Sequence, residues 1–240
     1  MMRALLVSLF VLPVTAMAED GNLTGDVALN GSRTTGNTDT TDIGAAVKLE
    51  WTTGRWEQDL RAIADFGRQN GTTNKQRYRI GYTVSREFAG RFYAYGNADH
   101  FQDEFGAYKY GYFLGGGAGW HALAGETRRW DVEAGPGYRR QKTREPINVG
   151  PPSIIEESFA ARAHSDFEWD LNANVSVFNL SEIVVSSDDT YVWNDVGLTA
   201  DMFENLAARV SFRVDHHTSV PEGRENTDTV TRVGVVYTFE

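Results

Sequence analysis

The chain has 240 residues, 23 basic against 33 acidic, and a formal net charge of −10. That acidic balance carries no basic cluster and argues against a nucleic-acid partner, because phosphate binding concentrates Lys and Arg. Cysteine is absent, which excludes a disulfide scaffold, a thiolate zinc site and a cysteine nucleophile.

The first element reads as an address. Arg3 is followed by an apolar run from Leu5 to Val14, then by Ala16-Met17-Ala18 and the acidic pair Glu19-Asp20. This is the pattern of a secretory signal peptide cut after Ala18, and the apolar run is too short for a membrane helix. Residues 19–240 are then the mature domain, with a net charge of −11 because only Arg3 leaves with the leader.

From there the dominant signal is period-two alternation, the mark of strands with two different faces. Ile43, Ala45, Val47, Leu49 and Trp51 form an apolar face, and Lys48 and Glu50 fall on the other. Trp56, Leu60, Ala62, Ala64 and Phe66 oppose Asp59, Arg61 and Asp65, and Tyr78, Ile80, Tyr82 and Val84 oppose Arg77 and Arg79. Twelve segments follow this rule, near 22–32, 40–52, 55–67, 76–87, 91–102, 109–121, 128–141, 158–170, 174–186, 190–201, 206–217 and 228–239. Those starting near 91, 174 and 190 are ambiguous in phase. Most have the length that a tilted strand needs to cross a bilayer, about 9–11 residues. The mean hydropathy of −0.41 is compatible with this, since only every second residue would face lipid.

The connections alternate in length. Arg33–Asp39, Arg68–Lys75, Asp103–Tyr108, Lys142–Glu157, Ser187–Asp189 and Thr218–Thr227 are mostly long and polar. Thr53–Gly54, Phe88–Gly90, Ala122–Thr127, Leu171–Ala173 and Met202–Asn205 are mostly short. Short periplasmic turns and longer outer loops are a barrel signature. Five of the six tryptophans, Trp51, Trp56, Trp120, Trp130 and Trp169, flank the short turns on the apolar face, as an interfacial girdle would. The expected fold is all-β: an antiparallel up-and-down transmembrane barrel of about twelve strands. A soluble barrel would keep its apolar face inside; segment length and the tryptophan ring favour the inverted arrangement.

Further blocks carry a family resemblance. They are Gly36-Asn37-Thr38-Asp39 before Trp51 and Gly54-Arg55-Trp56, Asp103-Glu104-Phe105 before the glycine-rich Leu114–Trp120, Gly135-Pro136-Gly137-Tyr138-Arg139, and Thr227-Asp228-Thr229 before Val236-Tyr237-Thr238-Phe239. Together they resemble the salt-induced outer-membrane protein family, YdiY-like, also called domain of unknown function 481. The resemblance implies a Gram-negative outer-membrane barrel with no assigned reaction and no catalytic residues. Such barrels usually end on an aromatic residue; here Glu240 follows Phe239.

Chemistry is sparse. Gly115-Gly116-Gly117 lacks the strand-to-helix setting of a phosphate cradle and reads as room for aromatic packing. His216-His217-Thr218-Ser219, with Asp215, has the residue types of a hydrolase triad without its geometry. His100 with Asp99 and Asp103, or Asp188-Asp189, offers metal-ligand types, though acidic loop residues are usually just solvated. No cofactor, metal or catalytic residue is expected. The informative set is the charged face assigned to the lumen: Lys48, Glu50, Arg61, Arg77, Arg79, Asp131, Glu133, Arg139, Arg162, Asp166, Glu168, Arg209 and Arg213. Either these groups line a water-filled pore or they pair across a narrow lumen and close it. The readings are, in order, a narrow channel for ions or small solutes, a non-transporting structural or envelope-stress (salt-response) barrel, and an outer-membrane hydrolase. Expected partners are outer-membrane lipid and lipopolysaccharide, and the barrel-assembly machinery during insertion. No particular solute is indicated.

Overall fold

The computed structural model describes residues 21–34, 40–144 and 153–239. The leader expected at 1–18, the turn expected at Asn37-Thr38-Asp39, the middle of the expected Lys142–Glu157 connection and Glu240 lie outside the described residues. Twelve strands run in chain order: β1 (Asn22–Thr34), β2 (Thr40–Thr53), β3 (Trp56–Gln69), β4 (Thr72–Ala89), β5 (Phe92–Asp103), β6 (Tyr108–Ala124), β7 (Arg128–Thr143), β8 (Ile155–Asn172), β9 (Val175–Ser186), β10 (Thr190–Phe203), β11 (Leu206–His217) and β12 (Thr227–Phe239). Each pairs antiparallel with its neighbours, and β1 meets β12 to close the ring. The fold is thus an up-and-down transmembrane β-barrel.

Alternation and register decide which face meets lipid. Leu29 pairs with Ala45 and Val27 with Val47, so apolar residues fall opposite apolar residues across the β1–β2 ladder. The outward faces carry Leu114 at 65%, Phe159 at 87% and Val233 at 64% exposure, values that in a soluble protein would be an aggregation hazard. Buried positions hold Asn97, Arg139, Gln141, Arg162, Ser211, Arg213 and Asp215 instead. The barrel is polar inside and apolar outside. The three ambiguous segments resolve in the same way. Tyr93, Tyr95 and Asn97 of β5, Val184 of β9, and Tyr191 and Trp193 of β10 point inward.

Tight turns fix the register. Gly54 and Gly90, at φ of 60° and 59°, open two-residue turns between β2 and β3 and between β4 and β5. The connection expected at Arg68–Lys75 is also tight: β3 and β4 run on to Asn70-Gly71, with φ of 49° and 79°. That is the Asn-Gly signature of a primed hairpin turn. The loop expectation failed because Arg68, Gln69, Thr72 and Thr73 are polar on both faces, so the ladder carries on where the apolar alternation stops.

Glycines on the inner face make room for rings. A Cβ at Gly119 would collide with Tyr93, at Gly137 with Phe113, and at Gly197 with Phe178. In each pair a lumenal ring lies flat on the neighbouring strand.

Val210 and Val233 face each other across the middle of the β11–β12 ladder, both outward. Val233→Arg is expected to destabilise the vesicle-inserted barrel by about 2–4 kcal/mol, read from guanidinium titration. An unchanged midpoint would mean that this face does not meet hydrocarbon.

Candidate functional site: the barrel lumen

Inward positions of all twelve strands converge on one lumen, and their charges organise it in layers. The middle layer is a chain of ion pairs. Asp65 of β3 accepts from Arg77 of β4 at 3.0 Å and from Arg232 of β12 at 3.2 Å. Arg77 also reaches Asp215 of β11 at 3.5 Å, and Arg232 lies 3.6 Å from Asp195 of β10. Asp215 is held by Arg213 at 2.8 and 2.9 Å and receives the Tyr191 hydroxyl at 2.5 Å. Arg79 of β4 donates to that same hydroxyl at 2.8 Å. Several of these contacts join strands that are not neighbours in the ring, so they span the lumen.

A second knot adjoins it. Arg162 donates to Glu133 and Glu182, both at 2.7 Å, and Trp193 Nε1 donates to Glu182 at 3.0 Å. The Arg213 guanidinium lies 4.3 Å from the centre of the Trp193 ring. Tyr95 sits beside Arg162, with the guanidinium 5.5 Å from its ring. Buried charges persist when they are paired and hydrogen-bonded, and alternating signs supply the partners here, except that Asp195 keeps a buried Oδ1 with no hydrogen bond.

Two cavities lie along the axis. The larger, about 460 Å³, extends toward the short-turn end. Lys48, Glu50, Arg61, Arg79, Asp131, Glu133, Arg162, Asp166, Glu168 and Arg213 line it. Its wall holds eleven acidic and seven basic residues in all, an excess of negative charge. The smaller, about 80 Å³, lies at the long-loop end and is lined by Arg77, Arg79 and Arg139 among others. Arg79, Asp99 and Glu182 border both. Arg209 stacks on Phe178 at 5.1 Å and donates to Thr199 at 3.0 Å, lining neither cavity.

Pairing also reaches the inner vestibule. Arg61 meets Asp166 at 3.3 Å between β3 and β8, Lys48 meets Glu50 at 3.2 Å, His121 meets Asp131 at 2.6 Å, and Arg129 pairs with Glu168. At the mouth, carboxylate oxygens of Glu50, Glu57 and Asp59 lie within 4.8 Å of one another. This is the one group of metal-ligand type found among the described residues. The sets weighed from sequence do not assemble. His100 stacks outward on Tyr112 at 4.6 Å, Asp99 points into the lumen, and Asp103 accepts the Phe105 and Gly106 amides at 2.8 Å.

The His216–Ser219 segment is engaged in contacts at the rim. Asp215 belongs to the middle network, while His217 Nδ1 contacts Asp189 at 2.6 Å. His217 is sandwiched between Tyr108 at 4.7 Å and Tyr191 at 4.6 Å. The Asp189 side chain, wholly enclosed, also takes Arg139 at 3.0 Å, the Thr218 hydroxyl at 3.2 Å and the Ser219 amide at 3.0 Å. Burial opposes its ionisation, but the His217 contact, Arg139 and the Ser219 amide win and hold the carboxyl at about 2.

Sequence reasoning missed Glu182, Tyr93, Tyr95, Tyr191 and Trp193, all from strands of ambiguous phase. Asp189 looked like a solvated loop acid.

The family described as "Protein of unknown function, DUF481" matches residues 27–239. No curated protein matches the sequence. Among solved structures, the NanC porin aligns with a TM-score of 0.52 at 12% identity, covering 88% of this chain and 98% of that one. The translocator domain of autotransporter NalP from Neisseria meningitidis gives 0.47 at 12% identity, with 94% and 91% covered. The KdgM porin, solved in complex with disordered oligogalacturonate, gives 0.48 at 8% identity, with 90% and 99% covered. At 12% identity the likeness to NanC shows a shared barrel fold.

Two outcomes follow. Arg162→Ala strands Glu133 and Glu182 without their cation and is expected to cost about 3–5 kcal/mol in unfolding titrations; a loss below 1 kcal/mol would place these groups in bulk water. The depressed Asp189 carboxyl contributes stability that is complete above its usual 3.8 and is lost as pH falls through about 2. Its carboxyl carbon-13 signal should titrate near 2, and a midpoint near 3.8 would contradict the ion-paired enclosure.

Proposed function

The chain belongs to the DUF481 family, proteins of unknown function, and from that premise we propose an outer-membrane barrel that passes small ions through a narrow lumen. Export begins with a leader at residues 1–18 that is cleaved after Ala18. Outer-membrane lipid and lipopolysaccharide surround the apolar face once the barrel-assembly machinery has inserted it. The porin-like fold supports this location, and no catalytic step belongs to the reading.

One observation carries it: two cavities on a common axis, separated by a mid-depth layer of paired charges. Charges at a constriction set what enters, and Arg–carboxylate bridges can exchange partners as an ion passes. The acidic excess of the inner cavity favours cations. A second reading, a structural barrel that transports nothing, is favoured by the cross-lumen pairs themselves. Asp65–Arg232 and Arg77–Asp215 neutralise each other where an open pore would leave one sign exposed.

Planar-bilayer recording of the refolded mature chain separates the two. Small discrete steps with a cation-selective reversal potential in a salt gradient are expected, and Arg77→Gln with Arg232→Gln should enlarge them. Silence in both proteins would leave the structural barrel.

A further inference from the structure

The β11–β12 connection, Thr218 to Asn226, does not rise away from the barrel. It begins under β10, where the Thr190 amide donates to the Thr218 hydroxyl at 2.8 Å and the Thr218 amide to the Thr190 carbonyl at 3.1 Å. It then crosses the mouth. Tyr108 of β6 donates its hydroxyl to the Ser219 carbonyl at 2.7 Å, and Arg224 Nη1 donates to the Phe105 carbonyl in the β5–β6 connection at 3.1 Å. In the ring of twelve, the β5–β6 hairpin stands opposite β11–β12. A segment rooted on one wall is therefore tied to the far wall at two points.

Its fastening is a single carboxylate. Asp189 gathers Arg139 of β7, His217 at the end of β11, the Thr218 hydroxyl and the Ser219 amide. Two strands and the root of the crossing segment meet on one residue with no exposed side-chain surface. Directly below, Tyr108, His217 and Tyr191 form a ring stack that bounds the outer 80 Å³ cavity. The far anchor is itself held down, because Arg144 donates to the Gly106 carbonyl at 3.0 Å and to the Asp103 carbonyl.

We infer that residues 218–226 form a lid over the outer mouth, latched by Asp189 and strapped to the β5–β6 connection by Arg224 and Tyr108. The lid's contacts are mainly hydrogen bonds to its rim, so it can open as a local unit while the barrel stays folded. The inference rests on the channel reading for its consequence but not for its geometry. Opening would join the outer cavity to the exterior and remove one of two barriers in series, the mid-depth ion pairs being the other.

The test uses the full mature chain refolded in lipid vesicles, with Asp189→Asn at the latch and Arg224→Gln at the strap. Heat-modifiable gel mobility checks that the barrel is closed in each. Hydrogen exchange at the Thr218 and Ser219 amides is expected to quicken by about tenfold or more in Asp189→Asn. Tryptic cleavage after Arg224 should be slow in wild type and faster in Tyr108→Phe, which lacks the hydroxyl that binds the Ser219 carbonyl. Arg224→Gln should quicken exchange in the lid without altering strand amides. Exchange as slow as wild type in both variants would overturn the lid. Fast exchange with unchanged conductance would support the lid and count against the channel reading alone.

Discussion

In hydrocarbon a backbone amide has no water to bond, so every strand must have two partners, and that constraint shapes the rest of this barrel. Eleven hairpin ladders follow from chain order, but the last must be made between the two ends of the domain. Among the described residues the β1–β12 seam has six residue pairs, Gly25 with Phe239 through Asn30 with Gly234, while β1–β2 has thirteen. Gly234 matters here, because a Cβ at that position would collide with the Leu29 carbonyl across the seam. Closure is thus short and close-packed.

Once closed, alternation leaves no choice about where polar side chains go. Lipid takes one face, so charge accumulates inside a ring of only twelve strands, where the walls are near enough for side chains to meet. Arg61 reaches Asp166, and Arg77 reaches Asp215, from one wall to the other. An unpaired charge at that depth would be costly, and the sequence supplies partners of opposite sign on facing strands. The partition of the lumen into two cavities is the direct result. Aromatic rings complete it: Tyr93, Tyr95, Tyr191 and Trp193 fill space between guanidinium groups, and three of them donate hydrogen bonds to carboxylates, Tyr93 to Glu133, Tyr191 to Asp215 and Trp193 to Glu182.

Much of this is legible before any coordinates. Where one face is apolar and the other charged, as in β3 or β8, phase and orientation can be read directly, and the tryptophan girdle marks one membrane edge. Legibility ends where the inner face is itself aromatic. In β10, Tyr191 and Trp193 point inward while Val192, Val196 and Leu198 point outward, so both faces look apolar and period two loses its contrast. The only clue was Asp195, in phase with Trp193. Long-range pairing is a further limit. Asp189 and His217 are 28 residues apart, and only the closed ring brings them together over Arg139. The Asn70-Gly71 turn was readable from turn chemistry, but the polar residues around it imitate a loop.

The absence of cysteine makes the central claim, a lumen divided at mid-depth by paired charges, directly testable. A single Thr83→Cys places a thiol in the inner cavity, below the ion-pair layer. It can be challenged with a membrane-impermeant thiol reagent added to one side of an oriented bilayer at a time. The account expects modification from the short-turn side only. Equal rates from both sides would contradict it, since the paired charges would then pose no barrier to a solute of the reagent's size.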